Sequence, residues 1–218
     1  VRAREAHAQD VLMGRRIARA LAVALLGLSL AAPLGSRAAP RTRVVPLSLW
    51  IARFEGAPAV PEAFVREQLE GANRVFAPLS IRFEAVARRS IDERHARLET
   101  RADRDALAAH RHEGAIDVFF VERLRDVDEP ERLRMGVHWR YRKDRAIHYV
   151  VVSRIALPDV LAHELGHFFG NPHSDTPGNI MSYDRPPGVA PSFDAAQRRR
   201  IERMLREYVR RGEVRLGE

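Results

Sequence analysis

One stretch, "HELGHFFGNPH" from His163 to His173, constrains this chain more than any other. Three of the nine histidines in 218 residues fall inside it, at spacings of four and then six. A spacing of four brings two imidazoles together on a helix, where they leave one face a single turn apart. Gly170 then lets the backbone turn sharply, through positive φ if needed, and Asn171-Pro172 carry the chain round to His173. Glu164 is rotated by about 100° from His163, which keeps it beside the meeting point of the imidazoles without making it a ligand. Leu161, Leu165 and Phe168 fall largely on the other side, where they can anchor the helix in a core.

Three neutral imidazoles and no fourth protein ligand describe a catalytic zinc site with one position open to water. Zinc lowers the pKa of such a water towards ~7. Glu164 is then placed to take the proton from the zinc-bound water and return it to a departing amine. The chain has no cysteine, which excludes disulfides, thiolate metal sites and a cysteine nucleophile. Any metal must be held by nitrogen and oxygen. The lone histidines of predicted strands, His138 and His148, read as packed or surface residues.

The net charge of +8 invites a nucleic-acid or anionic-membrane partner. However, Lys143 is the only lysine, so the excess is arginine, and residues 1–39 carry six arginines against Glu5 and Asp10, half of the total charge. No aromatic-basic platform or nucleic-acid motif accompanies it. No nucleic-acid partner is expected. The N-terminal part reads as a secretory leader: a basic "MGRRIAR" from Met13, an apolar run of fifteen residues, and the small-residue stretch "GSRAAP", with Ser36-Arg37-Ala38 as the cleavage tripeptide. The run is shorter than the ~20 residues a membrane-spanning helix needs. The expectation is an N-terminal extension and signal over 1–38 with Met13 as initiator, then one catalytic domain over 39–218. That domain would be secreted or periplasmic, monomeric, and without stable membrane association once the signal is removed.

Beyond Pro40, strand and helix patterns alternate. Strands are expected over 45–55, 79–87, 115–124 and 145–154, with a short edge strand, "MGVHWRY", over 135–141. Helices are expected over 61–77, opening on Pro61, over 157–170 around the histidines, and over 193–211, where Asp194 and Gln197 suggest a capping box. The arginine-rich face of this last helix reads as solvated. Residues 90–112, with ten charged positions, read as an exposed helix or loop.

"HELGHFFGNPH" matches HExxHxxGxxH, and "NIMSY" over 179–183 resembles the methionine turn that follows it in the metzincin clan of zinc endopeptidases. The order of elements is also similar to that clan. The resemblance implies an α+β catalytic domain: a mixed twisted sheet with an edge strand, a zinc-binding helix, a methionine turn and a C-terminal helix. It further implies that His163, His167 and His173 bind one zinc ion, Glu164 is the general base, Gly170 makes the turn, and Met181 lies beneath the metal. The short stretch from His173 to Met181 is similar to matrixins. Tyr183 instead resembles astacins and serralysins, where a tyrosine there reaches the zinc or steadies the oxyanion; ordinary packing or a hydrogen bond is the alternative. A calcium requirement is left open. A peptide or protein substrate would lie along the edge strand, flanked by the wall "DRPPGVAPS" over 184–192. Within that wall Arg185 reads as solvated, or as favouring an acidic side chain. The runner-up function is a non-proteolytic, zinc-containing binding protein on the same fold.

Overall fold

Strand β1, Arg43–Phe54, is the spine of the sheet and is buried along most of its length. Its alternate residues Val45, Leu47, Leu49 and Ile51 enter one core, while Trp50 and Ala52 enter a second core on the opposite face. The chain is seen here as a computed structural model that describes residues 41–217. The expected leader with its cleavage tripeptide, and the boundary at 38/39, lie outside the described residues.

From β1 a short return strand, β2 (Ala57–Pro58), leads to helix α1 (Glu62–Phe76) and then to β3 (Ile81–Ile91). Beyond these come β4 (Arg97–Leu98), α2 (Arg101–Ala106), β5 (Ile116–Val121), β6 (Arg123–Leu124), β7 (Gly136–Arg140) and β8 (His148–Ser153). Helices α3 (Val160–Phe168) and α4 (Ala195–Arg211) complete the order. Across the main sheet the sequence is β3-β1-β5-β8-β7, with β2 at the end of β1. All neighbours in that row run parallel except β7, which is antiparallel to β8. The fold is therefore α+β with a mixed sheet, and "MGVHWRY" supplies its edge strand.

The expected segments are recovered to within a few residues, apart from two differences. The predicted strand 115–124 divides at Glu122, after which Arg123 and Leu124 leave the main sheet to pair with Arg97 and Leu98. Residues 90–112 are not one exposed segment: Leu98 and Leu107 are fully buried and join the second core. Their partners Trp50, Phe119 and Tyr149 are distant in sequence, so local periodicity could not mark them.

Helix α1 sets the position of α3. A Cβ on Gly71 would lie 2.1 Å from the Pro158 carbonyl oxygen, so only glycine lets the two segments approach this closely. Beside it the buried Gln68 donates to the Leu157 carbonyl at 2.8 Å and accepts from the Leu161 amide at 3.0 Å. A side chain from another helix thus satisfies one of the amides a helix start leaves without a partner. At the other end of α3, the Tyr208 hydroxyl from α4 donates to the Phe168 carbonyl at 2.9 Å.

Candidate metal centre

Helix α3 is short and almost wholly buried, and it presents His163 and His167 from one face. It stops at Gly170, whose φ of +82° is the left-handed conformation glycine adopts without strain. The Asn171 amide then bonds back to the Gly166 carbonyl at 3.0 Å, closing the end of the helix. This turn delivers His173. Its Nε2 lies 3.1 Å from that of His167, which in turn lies 3.1 Å from that of His163.

The outer nitrogens explain why the inner ones converge. His163 Nδ1 is 2.8 Å from the Ile180 carbonyl oxygen, and His167 Nδ1 is 2.7 Å from that of Asn171. A carbonyl only accepts, so each Nδ1 must carry the hydrogen and each Nε2 the lone pair. Burial, as the largest cause, lowers the pKa of all three rings, to about 4 for His163. They are neutral near pH 7. Among the described residues, these three are the one His, Cys, Asp or Glu group placed to share a metal ion, with ligand atoms within 4.8 Å of one another.

Met181 is fully buried beneath α3. A Cβ on Gly166 would come within 2.4 Å of its sulfur, so the floor is a thioether packed against a glycine. Asn179 shapes this turn by accepting from the Met181 amide at 2.8 Å, and its own side chain bonds to Gln197 of α4 at 2.9 Å. Gln197 and Asp194 form the expected capping box, with bonds of 2.8 and 2.9 Å. Tyr183 is 72% exposed, so it is not packed in the core, and its hydroxyl lies within hydrogen-bonding distance of His173 Nε2 at 2.9 Å.

Glu164 is buried where β7 crosses α3. A Cβ on Gly136 would lie 2.8 Å from the Glu164 Cγ and 3.0 Å from Oε1, so the first residue of the edge strand leaves room for the carboxylate. Burial pushes that carboxyl up to about 8, opposed by a bond from the His138 backbone and by the charges of Arg134 and Arg104. The His138 and His148 rings are packed rather than at the surface: they contact each other at 2.9 Å, and His148 stacks on Phe168 at 4.1 Å. Arg185, expected to be solvated or to favour an acidic substrate side chain, is about three-quarters covered and turned inward. Its donors go to the Ser182 and Ile180 carbonyls at 3.3 and 3.2 Å and to the carboxylate of Asp159.

No protein-family model and no curated protein sequence matches this chain. Solved structures do. Metalloproteinase-II from Bacteroides fragilis superposes with a TM-score of 0.54 at 14% identity, over 76% of this chain and 54% of that one. Mirolysin superposes with a TM-score of 0.57 at 11% identity, over 81% of this chain and 100% of that one. The fold is metzincin-like. This chain spans about half the length of the Bacteroides protein. In this metzincin-like frame the mixed sheet and the helices α1, α3 and α4 agree with the architecture the sequence implied. Sequence reasoning missed Gly136, Gly166, Gln68 and the inward turn of Arg185. A glycine inside "HELGH", where a helix gains nothing from one, was the available signal for Gly166.

Proposed function

We propose that this chain is an exported zinc-dependent endopeptidase, and the observation that carries the reading is the convergence of three Nε2 atoms, two of them, on His163 and His167, left with a free lone pair by the carbonyls behind them. The lone pairs of His163 and His167, 3.1 Å apart with His173 Nε2 3.1 Å further on, repel unless a cation lies among them. Imidazole nitrogens bind zinc at about 2.0–2.1 Å, which on a tetrahedron separates them by roughly 3.3 Å. The donor set therefore fits the ion, with His163, His167 and His173 holding it. Bound there, zinc supplies Lewis-acid chemistry, polarising a carbonyl and acidifying water.

The chain's own groups supply the rest. An extended peptide adds to the outer edge of β7 through main-chain hydrogen bonds, which places its scissile bond over α3. Glu164, next to His163 and under Gly136, takes a proton from the attacking water and passes it to the leaving amine; the ionised form this needs, disfavoured by burial alone, would be favoured by a cation held among the histidines. The Tyr183 hydroxyl, exposed and already within 2.9 Å of His173, donates to the oxygen that gains charge. Met181 and Gly166 keep the floor of the centre rigid and dry. Export rests on the leader pattern over 13–40. Among the described residues, no helix is long and apolar enough to cross a membrane.

The test is zinc by elemental analysis on the purified chain, alongside cleavage of an unstructured protein such as casein with and without chelator. Wild type should hold one zinc per chain and lose activity to the chelator. Glu164→Ala should keep the zinc and lose cleavage by at least about 10²-fold, since general-base catalysis contributes 10²–10⁴. Cleavage at the wild-type rate in that variant would falsify the mechanism.

A further inference from the structure

We propose that Arg185 is a positioning residue for the metal centre: its guanidinium fixes the carbonyl that orients His163 and fastens the methionine turn to the start of α3. The proposal rests on the zinc reading above.

Three observations carry it. The Ile180 carbonyl oxygen accepts from His163 Nδ1 at 2.8 Å and from Arg185 Nη2 at 3.2 Å. A carbonyl has two lone pairs, so both are occupied and the oxygen has no freedom to turn away from the histidine. Arg185 Nε donates to the Ser182 carbonyl at 3.3 Å, so the arginine spans both sides of Met181. Nη1 meets Asp159, which occupies the N-cap position of α3 four residues before His163.

That last contact is costly for the helix. Aspartate at an N-cap ordinarily accepts from the helix amides and so stabilises the helix start. Asp159 makes no such bond, and Gln68 serves the helix start instead. The carboxylate is given over to Arg185. The pair forms one wall of a cavity of about 430 Å³ lined also by Val75, Leu157 and Pro191, and each side chain is about three-quarters covered. A planar guanidinium serves three acceptors in fixed directions; an ammonium does not.

Partners that orient a ligating histidine from behind typically cost 10–100-fold in metal affinity when removed. The measurement is zinc affinity of the purified full chain by competition with a chromophoric chelator, for wild type, Arg185→Lys, Arg185→Ala and Asp159→Asn. Thermal melting and amide hydrogen exchange over 179–185 are measured on the same proteins without metal. Arg185→Ala and Arg185→Lys are expected to bind zinc at least about 10-fold more weakly, with faster exchange over 179–185 and metal-free melting that stays cooperative. Asp159→Asn should lose less, because both carbonyl bonds survive. Wild-type affinity in both arginine variants overturns the proposal. So does an affinity loss confined to Arg185→Ala that merely tracks its melting temperature, which would make the arginine a structural strut. If wild type itself binds no zinc, the zinc reading fails and takes the proposal with it, a result distinct from either.

Discussion

Tyr183 is the residue whose placement separates catalysis from metal binding most cleanly. Its ring is in solvent and, among the described residues, its hydroxyl contacts only His173, so removing one oxygen leaves the core intact and all three imidazoles in place. Tyr183→Phe should therefore keep its zinc and its melting temperature while kcat falls about 10²-fold, the usual effect of losing one oxyanion donor. Steady-state kinetics beside elemental analysis decide it, and an unchanged kcat would return Tyr183 to the surface. At this scale the sequence was most informative. His163, His167, His173 and Gly170 follow from spacing and backbone geometry, both local properties. Gly136 and Gly166 do not, because the atoms that exclude a Cβ there belong to Glu164 and Met181, which only the fold brings close.

The elements around the centre are held by side chains at their ends more than by their own propensities. Helix α3 has nine residues, too few to be stable alone, and it borrows an acceptor from α1 at its start and a donor from α4 at its finish. Gln68 is the critical case: fully buried and 93 positions before the amide it serves. Replacing it with leucine strands the Leu161 amide, at about 1–3 kcal/mol for a buried group left unpaired, while the Leu157 carbonyl keeps its bond from the Val160 amide at 3.0 Å. Denaturant melts of the metal-free protein should show that loss, and a change below about 0.5 kcal/mol would mean water or a shift of α3 repairs the site. A sequence reader places Gln68 on the buried side of a helix and sees a flaw. Its partner is legible only once α1 and α3 are packed, and the same holds for residues 90–112, whose charges conceal two core leucines.

Over the whole molecule, the second core contains a titrating group far from the metal ligands in sequence. Asp117 on β5 accepts from Trp50 Nε1 at 2.8 Å and from the His112 amide at 3.2 Å, both at Oδ1. Burial raises its pKa from 3.8 to about 6 despite those bonds. Between these two values the folded chain binds more protons than the unfolded one, so this contribution to stability is full below pH ~4 and is lost as pH rises through ~6. Asp117→Asn keeps the accepting oxygen and removes the charge. Its melting temperature should equal wild type near pH 4 and exceed it at pH 7, by about 1–2 kcal/mol of stability, below the roughly 3 that the full shift implies. Equal stability at both pH values would mean the carboxylate is solvated.

The bond between Asn179 and Gln197 also has a consequence in time. The floor under the histidines is tied to the first turn of α4, and α4 is synthesised after every one of the three histidines. A chain still being synthesised can carry all three imidazoles and Glu164 and yet lack the clamp that levels Met181 beneath them. The proposed centre would then be complete only once α4 has been made and docked.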